Sequence, residues 1–157
     1  MAIRVIRLDS DPILRKKSRE IEDINPRTLE LLDDLVDTMY DAEGVGLAAP
    51  QIGVLRRAIV VDIGDGPIKM INPVIVLEDG AEIKPEGCLS VPGYTGLVER
   101  PFKVNVKYTD ENGVEIELEA EELLARAICH EIDHLNGILY TDKATEIQKL
   151  QEMEEYE

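Results

Sequence analysis

The sequence predicts an α+β domain in which a mostly antiparallel sheet packs around a central helix, with an N-terminal helix and a short C-terminal helix beside it. Three observations carry this expectation. Apolar residues recur at helical spacing near 26–42 and again near 121–136, short apolar segments lie between these stretches, and Asn112-Gly113 separates two of the segments as a hairpin turn does. Strands followed by a helix long enough to cover them make a segregated arrangement, not the alternation of a parallel α/β fold.

Asp11-Pro12 opens a helical turn through Leu14 and Lys17. Asn25-Pro26 is a stronger helix start, a capping residue before a proline whose missing N–H costs nothing in the first turn. Leu29, Leu32, Leu35, Val36 and Met39 then mark one buried face of a helix ending near Ala42. The expected strands are 58–63, 69–77, 103–109 and 114–119. In the last, Val114, Ile116 and Leu118 alternate with Glu115, Glu117 and Glu119, so one face is buried and the other wet. The second long helix runs from about Glu121 to Asn136, with acids in its first turn and Gly137 placed to end it. A chain of 157 residues suits one domain over 1–157, with 144–157 read as a C-terminal helix and tail.

The formal net charge of −16 argues against a surface for DNA or anionic membrane, because approach would begin in repulsion. Arg15-Lys16-Lys17 reads as a solvated face. No apolar run approaches the length of a membrane span, and residues 1–7 lack the apolar core of a secretory signal, so a soluble, cytoplasmic protein is expected. A monomer is the expected state. In that compartment a metal-binding or reactive role for one of Cys88 and Cys129 is a better reading than a disulfide between them.

Both histidines lie in His130-Glu131-Ile132-Asp133-His134, within the second long helix. Residues four apart share a helix face, so two imidazoles can bind one ion while Glu131 stands beside a water on that ion. At about 100° per residue, Leu124, Ala127, Ile128, Ile132 and Leu135 form an apolar arc that includes Glu131. A carboxylate there loses hydration, which raises its pKa toward neutrality. Arg126 and Asp133 project from the opposite, polar side, as solvent-facing residues or outer partners of the site.

A catalytic ion commonly takes three protein ligands, so one more is needed. The metalloprotease pattern with a third histidine has Tyr140 at that position. A glutamate on a later helix would be Glu152, Glu154 or Glu155, in a terminus prone to fraying. Cys88, in Glu86-Gly87-Cys88-Leu89-Ser90, would supply a thiolate, while Cys129 points about 120° around the helix from the histidine pair. A zinc endopeptidase and a closed structural metal site remain open on these residues alone.

Gly44-Val45-Gly46-Leu47-Ala48-Ala49-Pro50-Gln51 fits a loose dinucleotide fingerprint, but a helix precedes it and Pro50 interrupts the helix that should come after it, which excludes that reading. It reads as a side-chain-poor turn where a ligand backbone can approach closely, with Gln51 as an inward amide donor.

Together with Glu86-Gly87-Cys88-Leu89-Ser90 and His130-Glu131-Ile132-Asp133-His134-Leu135, this segment resembles the three signature motifs of the peptide deformylases, in order and spacing. The resemblance extends from Asp11-Pro12 to Gly137. It implies removal of the N-terminal formyl group from formyl-methionyl nascent peptides by a divalent metal held by Cys88, His130 and His134. Iron(II) is the usual ion of the family, and Zn2+, Ni2+ or Co2+ suit the same ligands. It further implies Glu131 as the proton-transfer group, oxyanion stabilisation by the Gln51 amide and the Leu89 backbone N–H, and substrate backbone pairing at Gly46. Leu123 and Ala127 are expected to wall the methionine pocket. Cys129 stands where relatives commonly have glutamine. The acidic tail ending Glu154-Glu155-Tyr156-Glu157 makes ribosome docking through a basic terminal helix doubtful, leaving at most a transient encounter.

Overall fold

The structure, a computed structural model, describes residues 2–150. Its elements run α1 (Pro26–Asp41), β1 (Gly46–Ala48), β2 (Ala58–Val61), β3 (Ile68–Asp79), β4 (Glu82–Cys88), β5 (Val91–Arg100), β6 (Lys103–Thr109), β7 (Glu115–Glu121), α2 (Glu122–Leu135) and β8 (Thr145–Lys149), with short 3₁₀ turns at Pro12–Arg15, Ala49–Ile52 and Tyr140–Asp142. A five-stranded sheet is ordered β1-β2-β3-β6-β7 and a three-stranded sheet β4-β5-β8. Every strand pairing in both is antiparallel, as an α+β fold with a mostly antiparallel sheet requires.

The capping signals act as expected. The Asn25 side chain accepts from Thr28 N–H with Pro26 in the first turn of α1, a contact of the kind that contributes about 1 kcal/mol. Asp11 caps the turn at Pro12 by accepting from Ile13 N–H. Gly137, at φ +76°, ends α2: its N–H donates to His134 O and the Ile138 N–H to Asp133 O, the paired bonds of a Schellman cap.

Strand β2 explains how the two helices share one sheet. All four of its residues are buried. Ile59 and Val61 join Met70, Val104, Val106 and the α2 residues Ile128, Ile132 and Leu135 in one apolar cluster. Ala58 and Val60 join the α1 residues Leu32, Leu35 and Met39 in the other. The unbroken apolar run of β2 is therefore that of a strand covered on both faces.

Two expectations are corrected. The stretch from Ala144 is not a helix. Thr145–Lys149 is an edge strand paired with β5 through Leu97↔Thr145, Thr95↔Gln148 and Tyr94↔Lys149. All five residues are exposed, so the segment had no apolar face to bury as a helix, whereas the edge of β5 offered backbone partners. Residues 151–157, including Glu152, Glu154 and Glu155, lie outside the described residues. The segment expected to be a plain turn near Gly46 is strand β1 followed by the 3₁₀ turn that carries Gln51. Among the described residues no helix is long and apolar enough to cross a membrane.

Candidate metal centre and cleft

The middle of α2 is buried, and His130, Glu131 and His134 are all at most 8 % exposed. Strand β4 ends at Cys88, so the thiol arrives from the three-stranded sheet against a helix seated on the five-stranded one. Cys88 Sγ lies 3.3 Å from His134 Nε2, and single ligand atoms of Cys88, His130 and His134 all fall within 4.8 Å of one another. The two imidazoles meet edge to face at 5.0 Å. Cys129 stays apart from this group as part of the α2 apolar cluster, where burial pushes its thiol up to about 11. Both cysteines are free.

His130 Nδ1 lies 2.8 Å from Glu86 Oε1, so the ring donates to the carboxylate there and keeps Nε2 for a ligand. Burial disfavours the Glu86 carboxylate, but the Arg100 and His130 hydrogen bonds outweigh that cost and hold it at about 2. Burial, followed by the charge of His130, pushes His134 well down, which favours the neutral imidazole that a metal requires.

Glu131 is the least compensated group in the site. Its Oε1 is buried with no hydrogen-bond partner among the described residues. Burial pushes its pKa up to about 7, against the opposing pull of His130, so it sits poised to hold or release a proton near neutral pH.

Gln51 is 1 % exposed and fixed at both ends of its amide. Its oxygen accepts from Ala48 N–H at 2.9 Å, and its nitrogen donates to Ser90 Oγ at 3.0 Å and points at Cys88 Sγ at 3.7 Å. That orientation assigns the amide: oxygen to the backbone, NH2 toward the sulfur. Gly44, Gly46, Leu89, Leu123 and Ala127 line the same cleft, of about 340 Å³. Ala127 is buried at its wall, Leu123 is half exposed at its mouth, and Leu89 sits in the turn between β4 and β5. A larger groove of about 990 Å³, lined by Arg4, Arg19, Arg27 and Arg56 among acidic residues, contains none of these groups.

A family model for polypeptide deformylase matches residues 3–150. The chain belongs to the polypeptide deformylase family. It is 58 % identical over 143 residues to the peptide deformylase of Alkaliphilus metalliredigens, covering 91 % of this chain and 97 % of the relative. It is 54 % identical over 155 residues to that of Thermoanaerobacter pseudethanolicus, covering 99 % and 98 %. The crystal structure of the Thermotoga maritima peptide deformylase superposes with a TM-score of 0.90 at 39 % identity, covering 92 % of this chain and 99 % of the other. The Synechococcus elongatus deformylase in complex with actinonin gives 0.87 at 39 %, covering 93 % and 89 %. Deformylases are metal-dependent hydrolases that remove the N-terminal formyl group of nascent polypeptides, and this chain is an enzyme of that class.

All nine residues singled out from the deformylase motifs cluster at this cleft or directly behind it. Of the two roles expected for Arg126, solvent-facing residue or outer partner, the structure has the second: it is 6 % exposed and bonded to Glu86 Oε2 at 2.7 Å. Glu86, Arg100 and Ser90 are the members of the site that sequence reasoning did not single out. Glu86 and Ser90 carried a signal, since each lies two residues from Cys88. Arg100, twelve residues beyond Cys88, had none.

Proposed function

We propose that Cys88, His130 and His134 hold one divalent ion and that Glu131 moves the proton in formyl hydrolysis. The donor set fits: one sulfur and two ring nitrogens converge, Glu86 fixes one tautomer, and three protein ligands leave a position open. When bound, the ion supplies Lewis acidity, lowering the pKa of a coordinated water. Iron(II) is the ion we assign, on the deformylase motifs; zinc, nickel and cobalt accept the same nitrogen and sulfur donors.

The single observation that carries the reading is Glu131, buried, unpartnered and raised to about 7 beside the donor set. It takes a proton from the attacking water and returns it to the departing amine. The Gln51 NH2, aimed at the sulfur side of the cleft, and the Leu89 backbone N–H stabilise the negative charge on the formyl oxygen. Because β1 is an edge strand, the backbone at Gly46 is placed to pair with an extended peptide. Leu123 and Ala127 receive the methionine side chain. We place the enzyme in the cytoplasm as a monomer that meets nascent chains, with a transient ribosome encounter and no DNA or membrane partner, in keeping with a net charge of −16.

Anaerobic purification with metal analysis, coupled to formate release from a formyl-Met peptide, tests the proposal. One equivalent of iron with turnover is expected. Turnover by protein stripped of all divalent metal would overturn it.

A further inference from the structure

Cys88 and the two histidines approach each other from different packing units. The apolar side chains of α2, among them Ile128, Ile132 and Leu135, belong to the cluster over the five-stranded sheet. Val91, Val98 and Tyr140 form a separate small cluster at the three-stranded sheet. Apolar packing alone therefore gives little register between the sulfur donor and the nitrogen donors.

Polar side chains span the gap instead. From the helix, Arg126 Nη1 donates to Glu86 Oε2 at 2.7 Å and Val98 O at 2.9 Å, and Nη2 donates to Glu82 O at 2.8 Å. From β5, Arg100 donates through Nε and Nη2 to the two Glu86 oxygens at 2.8 and 2.9 Å, and through Nη1 to Asp133 Oδ2 of α2 at 2.6 Å. The two guanidiniums cross in opposite directions and share one buried carboxylate. That carboxylate lies two residues before Cys88 and accepts from His130.

We propose that Arg126 and Arg100 form a crossed clamp between α2 and the β4–β5 sheet that fixes Cys88 relative to His130 and His134 and so retains the metal ion. They are positioning residues. The inference rests on the metal-site reading above. The planar fork reaches Glu86 and Val98 O through one nitrogen and Glu82 O through the other, whereas lysine at 126 keeps the charge but donates from a single point and loses that geometry. A buried network of this kind also resists small displacements, because each departure leaves a further polar group unpaired.

The test is nickel release from the nickel-loaded protein into excess chelator. Arg126→Lys should release nickel about tenfold faster or more, the size of effect that outer partners of metal ligands have on affinity. Asp133→Asn, which loosens the Arg100 arm and the exposed Lys143 pair at 3.0 Å but leaves the Arg126 bonds in place, should release it several-fold faster. Amide exchange should rise over 82–88 while the α2 core around Ile128 stays protected. Wild-type release from both folded variants overturns the clamp. So does a purely structural pattern, in which the metal-free variants melt earlier but nickel release is unchanged. If Arg126→Lys does not fold, Asp133→Asn decides by the same criterion. A wild-type protein that binds no nickel overturns the metal reading itself, and the clamp with it.

Discussion

Gly46 and Glu131 are packed so closely that a β-carbon on Gly46 would lie 2.6 Å from Glu131 Oε2. The edge of β1 thus closes directly over the carboxylate, and the side chain missing at Gly46 is the space the carboxylate occupies. Gly46→Ala should displace Glu131 and lower kcat/KM for a formyl-Met peptide by about 100-fold or more, the usual scale of a lost proton-transfer group. Gly46 does not hold a left-handed backbone, so the loss of stability should come from the clash alone, on the order of 1–3 kcal/mol. A Gly46→Ala enzyme with wild-type kcat/KM would contradict the contact's importance.

Glu86 makes a pH prediction. Its folded pKa of about 2 lies below the ordinary 4.5, so its ionised form stabilises the fold above about pH 4.5 and loses that contribution as pH falls toward 2. The shift corresponds to something on the order of 3 kcal/mol. Urea unfolding of metal-free wild type and Glu86→Gln should differ most at pH 6, with the gap narrowing at pH 2.5. A gap independent of pH would remove the assignment.

The two helix ends offer opposite substitutions. Gly137 is left-handed, and a β-carbon there would lie 2.5 Å from Arg15 O, so Gly137→Ala should cost more than about 2 kcal/mol. Glu43 holds the equivalent position after α1 at φ +57°, with its N–H bonded to Tyr40 O. Glu43→Gly should therefore stabilise by about 1 kcal/mol. Denaturant midpoints of the two variants should move in opposite directions.

Cys88 and Cys129 separate ligand from packing. Cys88→Ala should abolish stoichiometric metal binding while keeping the fold, because the side chain lies at a strand end beside the cleft. Cys129→Ala should keep the metal and lose on the order of 1 kcal/mol of stability from a buried site. Metal analysis after desalting distinguishes them.

Much of this was legible in the chain because it is local. Caps at Asn25 and Gly137, the 3.6-residue spacing of both helices and the Asn112-Gly113 hairpin depend on neighbours in sequence. Strands β4 and β5 were not expected. Pro85, Gly87, Pro92, Gly93 and Gly96 interrupt their pattern, and β4 is an edge strand with mostly exposed or half-buried residues, so neither alternation nor an apolar run announces it. Strand β8 was hidden for a related reason, since only its pairing with β5 holds it. Arg126 was placed on a polar helix face because periodicity cannot see Glu86 forty residues away.

The central claim is that Glu131 moves the proton at a metal held by Cys88, His130 and His134. The most direct measurement is formate release from a formyl-Met peptide by nickel-loaded wild type and Glu131→Gln at pH 7, with bound nickel counted in each. The account predicts one nickel in both proteins and turnover at least about 100-fold lower in the variant. Equal turnover at equal nickel content would contradict it.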